Sequence, residues 1–442
     1  MFCPKCGEVL EDGARFCGKC GAEIPQSQQS AGGASLKPVA TPVAPAPRTI
    51  GKLPIIVGGL AIVAAAVAAL ALFVVPAIFG GGGDQEVQNR INAAALAYGG
   101  ATTASGYDYI YSAEHRAIVR IQPGSEEVEE VLSVPDEAGA TYDAPAFYVT
   151  YIAADGGLVY YISQDYDDDQ GSSIYELRCV STTGEGDRLL LDLSEGDGNG
   201  FYSTVMGLYA FDGKAYLVVR DGNYNADDDV TSVVEVDPSS DGDPRTLWSA
   251  ESDEDVFYSN VIVTTDRLYY LKTEYRDYGD SNLELYAADL DGSDAECIYE
   301  PADGAAVSFA LSGNQLVVWC SESGRDKQEI LLVDSDTGDE QVLYENSYNE
   351  WVRLLAVSDD AVYLESTASN VYDIVEWDLK RVPLDGGEAS VIADDLDYYN
   401  PTAFVSNGRL VVLENGQDIA SGGMRAAAYD LENGEVIERY IR

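Results

Sequence analysis

The 442-residue sequence predicts an all-β protein: a β-propeller of about seven four-stranded blades, preceded by a small N-terminal zinc ribbon and one transmembrane helix. Three observations predict it. Four cysteines stand as two CxxC pairs near the N-terminus, 27 uncharged residues follow over 53–79, and a tyrosine-rich unit then recurs every 46 to 57 residues to the C-terminus.

Charge breaks the chain at the same places. Residues 1–52 carry six basic and four acidic side chains and residues 53–83 none, so the total of −50 leaves −52 on residues 84–442. That acidic part also holds all 30 tyrosines and the single histidine, His115. Such a charge keeps a domain soluble and repels phosphate backbones, which excludes nucleic acid as its expected partner.

The ribbon takes residues 1–26. Cys3-Pro-Lys-Cys6-Gly and Cys17-Gly-Lys-Cys20-Gly are near-copies of one turn. Each CxxC aims two sulfurs at one point, and the glycine after it lets the backbone pass beneath the metal. Cys3, Cys6, Cys17 and Cys20 then close a tetrahedral Zn2+ site. Phe2, Val9, Leu10, Phe16 and Ile24 make too small a core to fold the segment unaided, so metal binding supplies most of its folding free energy. A disulfide pair or a redox CxxC are the competing readings. A closed four-thiolate site leaves water no open position and predicts no catalysis. The ribbon is net negative, unlike a DNA-binding module, which favours protein docking or a structural role. It resembles the short zinc ribbons at the N-terminus of many bacterial membrane proteins.

Residues 27–52 are rich in Ser, Gln, Ala, Gly and Pro, lack apolar periodicity and read as a disordered tether. Residues 53–79 would span about 40 Å as a helix, more than the ~30 Å hydrocarbon core requires. A cleaved signal peptide would be shorter and nearer the start, and a buried soluble helix would show a polar stripe. Lys37, Arg48 and Lys52 precede the span, whereas Asp84 and Glu86 are the first charges after it. The positive-inside rule therefore puts the N-terminus in the cytoplasm. A single-pass protein of the cell membrane is expected, with its thiolates on the reducing side and its acidic bulk extracytoplasmic. Residues 80–87, opening on Gly80–Gly83, read as a flexible neck.

The propeller takes residues 88–442. Its core strand recurs as "YDYIY" from Tyr107, "LVYYI" from Leu158, "AYLVV" from Ala215, "LYYL" from Leu268, "LVVW" from Leu316, "VYL" from Val362 and "LVVL" from Leu410. Turns such as "ADGG", "FDGK" and "SNGR" precede most copies, and a second strand, a Gly-bearing turn and a short strand follow. With a leading strand before each turn the unit has four antiparallel strands, a propeller blade. Six or eight blades, or a sandwich of repeats, are the alternatives. The phrasing "RLYYL…ELYAADLDGS" resembles the propeller of bacterial surface proteins named after low-density-lipoprotein-receptor-related proteins. "NRINAAALAYGGATTASGYDYIY" is similar to that family's first blade, and the likeness implies a fold more than a function. An all-β ring offers no helix end to phosphate, and no GxGxxG or Walker sequence occurs.

Candidate chemistry in the ring is sparse. His115 is alone, so any His-dependent scheme needs this one turn residue. "DYDDDQGSSIYE" places Asp165, Asp167, Asp169 and Glu176 at positions 1, 3, 5 and 12 of a calcium loop, although the glycine comes one place late. Ca2+ is thus a candidate cofactor there, against the reading of an ordinary acidic hairpin turn. Cys179, Cys297 and Cys320 are an odd number on the oxidising side and read as buried free thiols. Tyrosine suits sugar stacking, but its place in the strands favours packing. The function expected is an extracytoplasmic binding or scaffold protein without enzymatic activity, meeting a protein, peptide or glycan at the central opening or the rim. A transmembrane sensor and a carboxylate-dependent glycan hydrolase are the alternatives.

Overall fold

The run Leu158–Ile162 is apolar at nearly every position because its two sides face different neighbours. Val159 and Tyr161 point into one hydrophobic cluster, Tyr160 and Ile162 into another, and all four are buried. A strand between two packed faces needs a continuous apolar run, not an alternating one. The computed structural model describes residues 81–441, less 98–99, 113–115, 126, 134–146, 168–171, 194–200, 224–228, 241–242, 254, 277–280, 303–304, 323–326, 348, 369–376, 397–400 and 415–424. The zinc ribbon, the tether and the expected span lie outside the described residues. Among the described residues no helix is long and apolar enough to cross a membrane.

Among the described residues, twenty-eight strands, all antiparallel to their neighbours, make seven separate four-stranded sheets, each of four consecutive strands. Blade 1 holds β1 (Ala101–Ala104), β2 (Tyr107–Ser112), β3 (Ala117–Ile121) and β4 (Val128–Ser133). Blade 2 holds β5 (Phe147–Asp155), β6 (Leu158–Asp167), β7 (Ser172–Ser181) and β8 (Arg188–Asp192). Blade 3 holds β9 (Phe201–Phe211), β10 (Lys214–Asn223), β11 (Asp229–Val236) and β12 (Arg245–Ser252). Blade 4 holds β13 (Val256–Val263), β14 (Arg267–Tyr275), β15 (Ser281–Asp289) and β16 (Glu296–Tyr299). Blade 5 holds β17 (Ala306–Ser312), β18 (Gln315–Ser321), β19 (Gln328–Asp334) and β20 (Glu340–Glu345). Blade 6 holds β21 (Glu350–Val357), β22 (Ala361–Ala368), β23 (Trp377–Pro383) and β24 (Ser390–Leu396). Blade 7 holds β25 (Pro401–Ser406), β26 (Arg409–Glu414), β27 (Arg425–Asp430) and β28 (Val436–Ile441). The recurring core strand of the sequence is the second strand of every blade.

The core lies between the blades. One cluster joins blades 1 and 2, others join 2 to 3, 3 through 5, 5 to 6 and 6 to 7, and one closes 7 onto 1. Tyrosines tie the seams with both ring and hydroxyl. Tyr160 donates to the Gly213 carbonyl at 2.9 Å, Tyr209 to Val261 at 2.8 Å and Tyr363 to Leu431 at 3.0 Å, each in the next blade. Packing thus accounts for these rings.

In blades 2, 5 and 7 the turn between third and fourth strands tucks under the preceding blade's outer strand. A Cβ on Gly184 would stand 2.3 Å from the Val131 carbonyl oxygen, and one on Gly434 would stand 2.1 Å from that of Ile392. Both glycines have positive φ. The backbone passes where only glycine fits.

Among the described residues, the helix α1 (Gly81–Leu96) corrects two expectations: residues 81–87 are helical rather than a flexible neck, and the ring is not helix-free. It touches the innermost strands β1, β5, β9, β13, β17, β21 and β25, so it fills the channel. Residues 89–96, read as part of the first blade, belong to it.

Candidate functional site

The central channel is where a propeller's inner strands converge, and here α1 occupies it. The Glu86 carboxylate accepts the Ser105 N–H at 3.1 Å, and the Gln88 side-chain oxygen accepts the Gly313 N–H at 2.7 Å. Ser105 and Gly313 belong to tight turns between first and second strands. Deeper in the channel, Asn92 donates to the Leu311 carbonyl at 2.9 Å and accepts the Leu311 N–H at 2.8 Å. Arg90 donates to the Ala154 carbonyl at 2.7 Å and pairs with Asp155 at 2.5 Å, while Asp155 accepts the Gly213 N–H at 2.7 Å. The helix therefore enters at the short-turn face and runs antiparallel to the inner strands. The longer connections leave the strands at the opposite face. A ligand in the central opening, one of two expected locations, would have to displace α1.

The clearest titratable cluster lies at the seam of blades 5 and 6. Glu350 pairs with Lys380, and its carboxylate accepts the Tyr344 hydroxyl at 2.9 Å, the Ser366 hydroxyl at 2.7 Å and the Ser347 N–H at 2.8 Å. Burial alone would raise the Glu350 carboxyl; the Lys380 ammonium and the other donors outweigh it and hold it down to about 2. On the same blade, burial pushes Glu365 up more than its partner Arg353, 2.6 Å away, draws it down. Two carboxyls moved apart in acidity can serve as an acid and base pair. These do not, because the register puts Glu350 and Ser366 on one side of the sheet and Arg353 and Glu365 on the other. The two groups fasten blade 6 to blades 5 and 7.

Glu350 carries a pH prediction. Its folded pKa lies below its ordinary value, so it stabilises fully above about pH 4.5 and the contribution is lost as pH falls towards 2. Between pH 5.5 and 2.5 the native chain should lose about 2–3 kcal/mol more stability than Glu350→Gln, as urea titrations would show. Equal acid sensitivity of the two chains would refute this.

The expected calcium loop is corrected. Asp165 and Asp167 lie in β6 and Glu176 in β7, with Asp165 paired to Ile174 and Glu176 to Ser163, so the segment is a hairpin and not a wrapped twelve-residue loop. Glu176 is paired with Arg178 at 3.0 Å. Asp169 and His115 lie outside the described residues. Among the described residues, no three His, Cys, Asp or Glu side chains gather to hold a metal. Cys179 and Cys320 are buried thiols as expected, but Cys297 is exposed, because β16 is an outer edge strand. A shallow cleft of about 230 Å³ between blades 4 and 5 is lined by Arg267, Asp289, Asp294, Glu296 and Asp336. Arg267 and Asp336 pair within it at 2.9 Å.

Residues 2–24 match the family model of the zinc-ribbon domain, and such a domain implies structural zinc. No curated protein matches the chain. Among solved structures it is similar to a prolyl endopeptidase at 15% identity and TM-score 0.48, covering 66% of this chain and 41% of that one. A Pyrococcus horikoshii acylaminoacyl peptidase gives 14% and 0.47, covering 66% and 45%. An oligogalacturonate lyase from Vibrio parahaemolyticus gives 10% and 0.45, covering 65% and 75%. The chain spans less than half the length of these peptidases, and at such identities the likeness is one of fold. The expectation of a chain without enzymatic activity is corrected here. The solved structures named above are two peptidases and a lyase. The chain is a zinc ribbon joined to a seven-bladed β-propeller.

Proposed function

We propose that this is a membrane-anchored protein whose extracytoplasmic ring presents the face of long loops to a partner. One observation carries the reading: α1 enters the channel at the short-turn face. The expected span ends at Phe79, two residues before α1 begins, so the short-turn face lies towards the bilayer and the long-loop face away from it. Asp168 and Asp169 fall in the sequence between β6 and β7, Asp227 and Asp228 between β10 and β11, and the domain carries −52. Complementary charge then selects a cationic protein, peptide or amino-bearing glycan.

The full chain in detergent micelles should bind an immobilised cationic peptide in a salt-sensitive way. Changing Asp168, Asp169, Asp227 and Asp228 to Asn should weaken binding by about tenfold. The same change at Asp294 and Asp385, with Glu185→Gln and Glu432→Gln, all on the short-turn face, should leave it within about twofold. The reverse ranking, or indifference to both sets, would reject the proposed face.

Cys3, Cys6, Cys17 and Cys20 are the donors that suit the ribbon's metal, four soft thiolates at the spacing of two knuckles. One zinc per chain is expected by metal analysis, and Cys17→Ser should lose it. Chelation should leave the melting of the ring unchanged, because the ribbon folds by its own metal. A ring that melts early on chelation would contradict this.

A further inference from the structure

We infer that the channel is a helix-binding site, occupied by residues 81–97 of this chain, and that the bound helix closes the ring in place of strand exchange. Among the described residues every blade is made of four consecutive strands, and no ladder joins any two blades, blades 7 and 1 included. Each of the other seams is bridged by the chain running from one blade to the next. The seam of blades 1 and 7 has no such crossing among the described residues, and side chains meet across it, among them Asp108 with Arg409 at 2.6 Å and Ser406 with Thr103 at 3.0 Å.

The helix supplies what this seam lacks. Ala93, fully buried, sits in the same cluster as Ala101 of β1 and Phe404 of β25. Ile91 and Ala94 join the cluster of blades 3 to 5, and Leu96 packs against that of blades 5 and 6. Arg90 holds blade 2 and Asn92 holds blade 5. Side chains on all sides of one helix thus reach into separate inter-blade cores. A helix that touches every inner strand and bonds to blades 1, 2 and 5 opposes splaying of the ring, and splaying begins where no backbone crosses.

The test uses the full chain in detergent with a specific protease site inserted between Gly99 and Gly100. After cleavage, the N-terminal and ring pieces should co-elute as one particle at micromolar concentration. In Arg90→Ala/Asn92→Ala the pieces should separate at least tenfold faster. The separated ring should exchange amide hydrogens faster along 101–104 and 401–406 than elsewhere, and a synthetic peptide of residues 81–97 should restore protection. If the helix leaves and the ring keeps its melting temperature and seam protection, the helix closes nothing and the inference fails. It also fails if the nicked double variant holds together as firmly as the nicked native chain. Neither result depends on which partner the outer face binds.

Discussion

Asp108→Ala should destabilise the ring by about 3–5 kcal/mol, read as a fall in the urea midpoint at unchanged slope. Asp108 is 1% exposed and Arg409 5% exposed, and they meet at the seam that, among the described residues, no run of chain from one blade to the next bridges. Removing the carboxylate strands a buried guanidinium and takes the acceptor from the Ser406 hydroxyl. Most of the loss is the cost of the uncompensated charge, not the worth of the pair. The double change Asp108→Leu/Arg409→Met should therefore recover more than half of it. A single-variant loss under about 1 kcal/mol would show that the seam does not limit stability.

Gly434→Ala should cost at least about 3 kcal/mol. Its φ of +67° already charges an L-residue about 1–2 kcal/mol. The new Cβ would also stand 2.1 Å from the Ile392 carbonyl oxygen and 2.5 Å from its carbon, so blade 7 must pull away from blade 6. Gly157→Ala is the internal control: φ is +83°, yet nothing lies within 4 Å of the added carbon. It should lose only the conformational part, about 1–2 kcal/mol. Equal thermal shifts for the two would mean that the blades do not meet as closely as described.

The blades were legible in the sequence because their second strands are buried on both sides. "LVYYI", "YLVV" and "LVVW" show no alternation, and turns such as Asp212-Gly213 and Asn407-Gly408, with both residues at positive φ, punctuate them. The channel helix was not legible. "GGGD" is a poor helix former by propensity and reads as a linker. The helix has no single apolar stripe to betray it, since it meets seven walls instead of one core. Its inward polar residues are satisfied by backbone far along the chain: Asn92 finds Leu311 across 219 residues. The calcium spacing misled because residues at 1, 3 and 12 in sequence fall on two strands of a hairpin, where pairing, not wrapping, sets their positions. The exposure of Cys297 was hidden for a similar reason, as an apolar-flanked cysteine on an outer strand reads like one on an inner strand.

Cys297 also provides the most direct measurement of the account. It is the exposed thiol of the described ring, while Cys179 and Cys320 are buried. Intact cells treated at about pH 8.5 with a membrane-impermeant maleimide should carry label at Cys297, and at none of Cys3, Cys6, Cys17 and Cys20 until the membrane is opened. Label on the ribbon cysteines of sealed cells, with Cys297 protected until lysis, would put the ring on the wrong side and contradict the arrangement from which the outward binding face follows.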